Sequence, residues 1–231
     1  MSKTPIVISL GGSLVVPDEL NVRFLKKFRA LILQLVKRGQ RFILIVGGGK
    51  VARRYQAAAR QVTKLTPDDL DWLGIHATRL NAHLLRTLFR DYAHAQIITS
   101  KEKINSRIRS KIIVAAGFRP GSSTDYDAVL LAKAFGAQTI LNLSNIDYVY
   151  DADPRKHPNA KPLKQLDWRT FTKLVGTTWD PGANVPFDPV ASKWAAKWGM
   201  QVVITRGTDF ANLRAWLGQG KGKGTVIQGK R

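Results

Sequence analysis

Two apolar runs that each end in a glycine cluster constrain this chain most. Ile6-Val7-Ile8-Ser9-Leu10 leads into Gly11-Gly12-Ser13, and Phe42-Ile43-Leu44-Ile45-Val46 leads into Gly47-Gly48-Gly49-Lys50. Short runs of this kind suit strands of a buried, mainly parallel sheet. Glycine lets the backbone turn and bring its N–H groups close to an anion, and a helix behind the turn aims its positive dipole end at the same place. Either cluster alone is an ordinary strand-to-helix turn. The pair, taken with the motifs below, reads as two phosphate cradles and so as two phosphate-bearing ligands. Neither is a Walker A loop or a dinucleotide fingerprint, because residues 47–50 lack the required spacing and 11–13 have no third glycine in place.

The rest of the chain alternates the same two kinds of segment. Residues 21–38 place Val22, Leu25, Phe28, Ile32, Leu35 and Val36 at helical spacing, and Gly39 supplies a stop. Residues 51–62 read as a helix behind the second cluster. Thr66-Pro67-Asp68-Asp69 offers an N-cap, a proline at the first helical position and an acidic first turn, opening a helix that could run to Tyr92. Further strands are expected at 96–99, 111–115, 139–143, 201–205 and 225–228. Helices are expected at 125–135 before Gly136, 168–175, 189–198 before Gly199, and 209–217 before Gly218. This alternation predicts a mainly parallel sheet covered on both faces, with ligands gathered at the carboxyl ends of the strands, where both glycine clusters lie. The chain reads as one domain over 1–231, with soft halves at 1–137 and 138–231.

The charge balance is strongly basic: 37 Lys+Arg stand against 16 Asp+Glu, a formal +21. Such a field attracts polyanions, yet the basic residues are dispersed, as in Lys26-Lys27, Arg53-Arg54 and Arg107 to Lys111. Anionic small substrates are therefore expected, and nucleic acid is possible but not as the primary partner. The loop Gly220-Lys221-Gly222-Lys223-Gly224 reads as a phosphate-contacting loop or, more simply, a flexible polar turn. Cysteine is absent, which excludes disulfides, thiolate metal sites and cysteine nucleophiles. No stretch has the length of a membrane span or a signal-peptide core, so a soluble cytoplasmic protein is expected.

Six ordered stretches carry a resemblance. They are Gly11-Gly12-Ser13 with Pro17; Gly47-Gly48-Gly49-Lys50 with Arg53 and Tyr55; Asp71 and Gly74-Ile75 with Thr78-Arg79 and Asn81-Ala82; Pro120-Gly121 with Thr124-Asp125; Ser144-Asn145 and Asp147 with Tyr150 and Asp153-Pro154; and Asp188-Pro189 with Lys193. In these the chain resembles the amino acid kinase family and, within it, the archaeal-type UMP kinases. The resemblance implies a three-layer α/β/α sandwich, ATP-dependent phosphorylation of UMP to UDP assisted by Mg²⁺, and a homo-oligomer, often a hexamer. Residue by residue, it implies that Gly12, Ser13, Gly49 and Arg53 meet ATP phosphates and that Ser144, Asn145, Tyr150 and Asp153 hold the nucleoside of ATP. Gly48, Asp71 and the run Phe118, Arg119, Pro120, Gly121, Ser122, Ser123 and Thr124 would hold UMP, with Arg119 adding a charge near its phosphate. Lys193 would stabilise the migrating phosphoryl group, and Asp125 would orient the basic groups.

Two departures stand out. Many relatives carry a lysine two residues before the paired glycines, where this chain has Ser9; Lys50 is the nearest replacement in sequence. Tyr148 stands at a place usually held by glycine. His76 and His83 share a helix face without metal-ligand spacing. The rivals to UMP are the acceptors of sister kinases, among them isopentenyl phosphate, acetylglutamate, aspartate and carbamate, and a non-catalytic polyanion-binding role on the same fold.

Overall fold

Five apolar residues in β1 (Ile6–Leu10) and five in β2 (Phe42–Val46) pair in parallel, with Ile6 opposite Phe42 and Leu10 opposite Val46. Around this pair the computed structural model describes residues 4–154, 156–178 and 185–229. In chain order, α1 (Gly12–Val15) and α2 (Val22–Lys37) follow β1, and α3 (Gly49–Val62) and α4 (Pro67–Leu88) follow β2. Next come β3 (Ile112–Ala115), α5 (Thr124–Phe135), β4 (Thr139–Ser144), β5 (Val149–Tyr150), β6 (Pro162–Leu163), β7 (Gln165–Asp167) and α6 (Trp168–Val175). The chain ends with α7 (Pro189–Lys197), β8 (Gln201–Arg206), α8 (Phe210–Gln219) and β9 (Thr225–Gln228).

The main sheet has seven strands in the order β3-β2-β1-β4-β8-β9-β7. Every pairing in it is parallel except β8 with β9. Alternate residues of each strand feed two separate cores, which is why the strands are apolar on both faces. Ile8, Leu10, Leu44 and Val46 pack with α2, α4 and α8, while Val7, Ile43, Ile45 and Ile113 pack with α5, α6 and α7. This is a three-layer α/β/α architecture with one sheet running through both halves, since β1 pairs with β4.

Local signals hold where they have a mechanism. Thr66 closes a full capping box with Asp69, and Pro67 sits in the first turn of α4. Gly39, Gly136 and Gly199 all take positive φ behind their helices, at 85, 71 and 62°. The stop of α8 falls on Gly220 (φ 67°) rather than Gly218, which lies inside the helix. α4 ends at Leu88 instead of reaching Tyr92, because Phe89 turns inward against Phe28, with ring centroids 6.4 Å apart. Residues 96–99 form no strand: only Ile98 bridges to Ala115, so the segment borders β3 without a continuous ladder. The loop at 220–224 is not a loose turn, for its backbone is bonded to α8 and β8.

Candidate active site

β1, β2 and β4 end in register, Leu10 lying beside Val46 on one side and Leu143 on the other. The strand order reverses here, the usual position of a ligand crevice in such sheets. Gly11 N–H donates to the Leu143 carbonyl at 2.9 Å and Gly47 N–H to the Leu10 carbonyl at 3.0 Å, so both loops are pinned to the strand ends. The two glycine clusters then meet backbone to backbone. A Cβ on Gly12 would stand 2.5 Å from the Gly47 carbonyl oxygen and closer still to the Gly49 nitrogen. Gly49, at φ 64°, has the same problem in reverse, 2.5 Å from the Gly12 carbonyl oxygen. The N–H groups of Gly12, Ser13, Gly48 and Gly49 find no acceptor among the described residues. Four unsatisfied donors at the starts of α1 and α3 are chemically suited to the oxygens of a phosphate.

α4 braces this cradle from below. Asn81 Nδ2 donates to the carbonyls of Gly47 and Gly48 at 2.9 and 3.2 Å. Three more of its residues hold the loop between β3 and α5. Asp71 Oδ2 accepts from Gly121 N–H at 2.7 Å, Thr78 Oγ1 accepts from Gly117 N–H at 2.8 Å, and Arg79 reaches the Phe118 carbonyl at 3.4 Å. Asp127 of α5 completes the clamp, taking the Phe118 N–H and the Ser122 hydroxyl at 3.0 Å each. Burial pushes the Asp127 carboxyl up to about 7 even though both donors favour its charge. Asp71 and the 118–124 run are thus joined. The Phe118 side chain belongs to the core, so only its backbone is available to the loop.

Between cradle and clamp lies Asp125, at the start of α5. Its Oδ1 accepts from the Ser9 hydroxyl at 2.9 Å and from Asn142 Nδ2 at 3.1 Å, and its Oδ2 accepts from Asp188 N–H at 3.3 Å. Burial, with a smaller contribution from the nearby Asp188 charge, raises it to about 7 against the help of Ser9. Asp188 caps α7 through Ala191 N–H at 2.6 Å, and it too is raised by burial. Its Oδ2 is buried without a well-formed hydrogen bond. Lys193 lies on the exposed face of α7, five residues beyond this cap.

Beyond β4, Gly207 N–H donates to the Ser144 carbonyl at 2.8 Å, and Ser144 Oγ reaches Asn145 Oδ1 at 3.4 Å. Arg206 grips Asp147 with two bonds of 2.8 and 2.9 Å. Tyr150 meets Tyr148 edge to face at 6.5 Å, and the Asp153 carbonyl accepts from Lys156 and His157. Lys50 pairs with Asp18 in the loop after α1, and that pairing lowers the Asp18 pKa. Arg53 and Arg119 are exposed and bond to none of the other candidates.

Sequence reasoning gave no role to Asn81, Thr78, Asp127, Asn142 or Asp188. Asp127 had a readable signal, a second acid in the first turn of a helix behind a serine-rich loop. Asn142 had another, a polar residue inside an apolar strand.

The profile of the amino acid kinase family matches residues 4–206. A uridylate kinase of Pyrococcus abyssi is 35% identical over 227 residues, covering 96% of this chain and 99% of the relative. One of Methanocorpusculum labreanum is 34% identical over 226 residues, covering 97% and 95% respectively. Among solved structures, a uridylate kinase from Archaeoglobus fulgidus superposes with a TM-score of 0.79 at 29% identity, covering 96% of this chain and 99% of that one.

Proposed function

The chain belongs to the amino acid kinase family, and we propose that within it this protein is a UMP kinase, moving the γ-phosphoryl group of ATP to UMP to give UDP and ADP. The observation that carries this reading is the meeting of the two glycine loops, with four free N–H donors, beside a separately clamped acceptor loop. That arrangement supports two phosphate-bearing ligands end to end.

Phosphoryl transfer asks the protein for positioning and for positive charge around the migrating group, with no covalent intermediate. In this reading Gly12, Ser13 and Gly49 hold ATP phosphates through backbone donors, with Arg53 reaching over them. Ser144, Asn145, Tyr150 and Asp153 bind the nucleoside of ATP. Gly48, Asp71 and residues 118–124 bind UMP, and Lys193 meets the charge that builds between them. Asp125 positions the β1 and α7 sides of the site through Ser9 and the Asp188 backbone. Lys50 supplies part of the charge that a lysine at position 9 would bring.

Among the described residues no group of three or more His, Cys, Asp or Glu forms a metal cage. The backbone donors present fit magnesium that arrives on the ATP phosphates, and among the described residues Asp188 Oδ2 is a buried carboxylate oxygen without a well-formed hydrogen bond. Bound there, it would neutralise charge on the β- and γ-phosphates. We also take the protein to be cytoplasmic and a homo-oligomer, a hexamer by resemblance, supported by Tyr55, Val62 and Leu80, which are 64, 86 and 63% exposed on α3 and α4.

An acceptor panel tests the activity. ADP release with UMP should be at least about tenfold faster than with isopentenyl phosphate or acetylglutamate, a gap of about 1.4 kcal/mol. Equal rates, or none with UMP, would refute it.

A further inference from the structure

The basic residues are scattered along the sequence, but the fold gathers a set of them onto one face. Between Glu19 and Asp68 the chain holds no Asp or Glu. α2 lies inside that stretch, and its Phe24, Leu25, Phe28, Ile32 and Leu35 are buried. Helical spacing then turns Arg23, Lys26, Lys27, Arg29 and Lys37, with Arg38 at the cap, out to solvent. α8 packs beside α2 and has no acid within it either. Phe210 of α8 sits against Phe24 at 5.7 Å and under Lys27, whose Nζ is 5.9 Å from its ring centroid. Further along, Arg214 Nη1 donates to Gln34 Oε1. Arg214 thereby supplies a cation beside the stretch of α2 between Arg29 and Lys37, which has none of its own.

The acids nearest in sequence do not neutralise this face. Asp18 is taken by Lys50, and Asp209 caps α8 through Asn212 N–H at 3.0 Å. Among the described residues no carboxylate lies within ion-pair distance of Arg23, Lys26, Lys27, Lys37, Arg38 or Arg214. Side chains on one helix face diverge, so these cations do not converge on a single small phosphate. From Lys27 to Lys37 they run for about 15 Å along the helix axis. The ligand that answers them is long and evenly charged. An anionic membrane meets only half of that description, because an interfacial helix needs a free apolar face and that of α2 is spent on the core.

We propose that the α2–α8 face binds a nucleic-acid strand through its phosphates, without regard to sequence. Each ammonium or guanidinium that meets a phosphate releases a counterion, which is the source of the affinity. Nothing on the face presents a built pocket for a base, so bases contribute little. This role goes beyond the kinase reaction and does not rest on it.

Fluorescence anisotropy of the full chain with a labelled mixed-sequence RNA of about 20 nucleotides tests the face. At about 0.15 M salt the Kd should be near 10⁻⁶ M, and four or five neutralised phosphates should give log K against log salt a slope of about −3. Lys26→Ala with Lys27→Ala should weaken binding at least tenfold and make the slope shallower by about 1.4. Arg169→Ala with Lys173→Ala removes the same charge from α6, across the sheet, and should weaken binding less than twofold. Both pairs lie on exposed helix faces and should leave the urea midpoint unchanged. DNA of the same sequence and oligouridylate should bind as the RNA does. No binding by about 100 μM protein at that salt, or equal weakening by the two pairs, overturns the proposal, the second because it makes the effect one of total charge. A strong preference for one sequence overturns the phosphate contact. Polyglutamate or phosphatidylserine vesicles that displace the RNA at lower charge concentration than unlabelled RNA does reassign the face to an acidic protein or a membrane. A chain that forms no UDP yet binds RNA through Lys26 and Lys27 defeats the kinase reading and leaves this face standing.

Discussion

Gly12→Ala probes the cradle directly, because its added methyl has no space. The new Cβ would lie 2.5 Å from the Gly47 carbonyl oxygen and against the Gly49 nitrogen, where a comfortable contact needs about 3.5 Å. Both obstacles are backbone, fixed by the bonds from Gly47 to Leu10 and from Lys50 to Val16, so no rotamer change relieves the overlap. The loops must part by about 1 Å. Overpacking of this kind costs roughly 1–3 kcal/mol of stability, and a displacement of that size at reacting groups costs about 10²-fold in rate. Gly39→Ala is the control: nothing lies within 4 Å of its Cβ, so its only cost is the left-handed strain of a side chain at φ 85°, about 1–2 kcal/mol. Urea unfolding should show both variants destabilised. Steady-state kinetics should show kcat/KM falling about 10²-fold for Gly12→Ala and unchanged for Gly39→Ala. Near-normal kcat/KM in a folded Gly12→Ala variant would refute the cradle.

Lys193→Ala should lower kcat by roughly 10²-fold while the Kd for ATP, measured by calorimetry, changes little, because its charge is needed in the transition state; a near-normal kcat would return Lys193 to the helix surface. Asp125 should make stability pH-dependent. Its folded pKa, about 7, lies above the ordinary 3.8, so its contribution is complete below about pH 4 and is lost as pH rises through about 7. Asp125→Asn should flatten the fall in unfolding free energy between about pH 4 and 7 by a few kcal/mol at most, and an unchanged slope in urea titrations would remove the carboxyl from this role.

What was legible in the sequence shares one property: a local cause. The strands ending in glycine, the capping box at Thr66 and the left-handed stops at Gly39 and Gly136 each follow from neighbours a few residues apart. The motif order marked loops that the fold brings together, such as 11–13 with 47–49, for the same reason. What sequence left hidden depends on residues far apart in the chain. Asp127 and Asp188 matter because burial raises their pKa, and Asn81 matters because α4 crosses beneath a loop 34 residues earlier. Residues 96–99 have a strand-like pattern, but a ladder needs a partner in register, and β3 offers only isolated bridges. β5 and β6, two residues each, are too short to leave any periodicity.

The position of Ser9 changes how this site must handle charge. A lysine there would face Asp125 directly; the serine hydroxyl bonds to Asp125 Oδ1 at 2.9 Å and brings no charge. Burial holds the carboxyl near about 7 against the help of that hydroxyl, beside a second carboxyl, Asp188, that burial also raises. Two reluctant acids repel incoming phosphate less than two fully ionised ones. The site thus trades a cation–carboxylate pair for a hydroxyl–carboxylate pair under a cradle of backbone dipoles. The remaining positive charge, formally +21, is spread over the surface, where at physiological salt its reach is about 8 Å. Charge at that range speeds the encounter with anionic substrates and contributes little to the chemical step. Catalytic charge must then come from groups at the phosphates themselves, which is the part proposed above for Lys193 and the glycine backbone rather than for the basic surface.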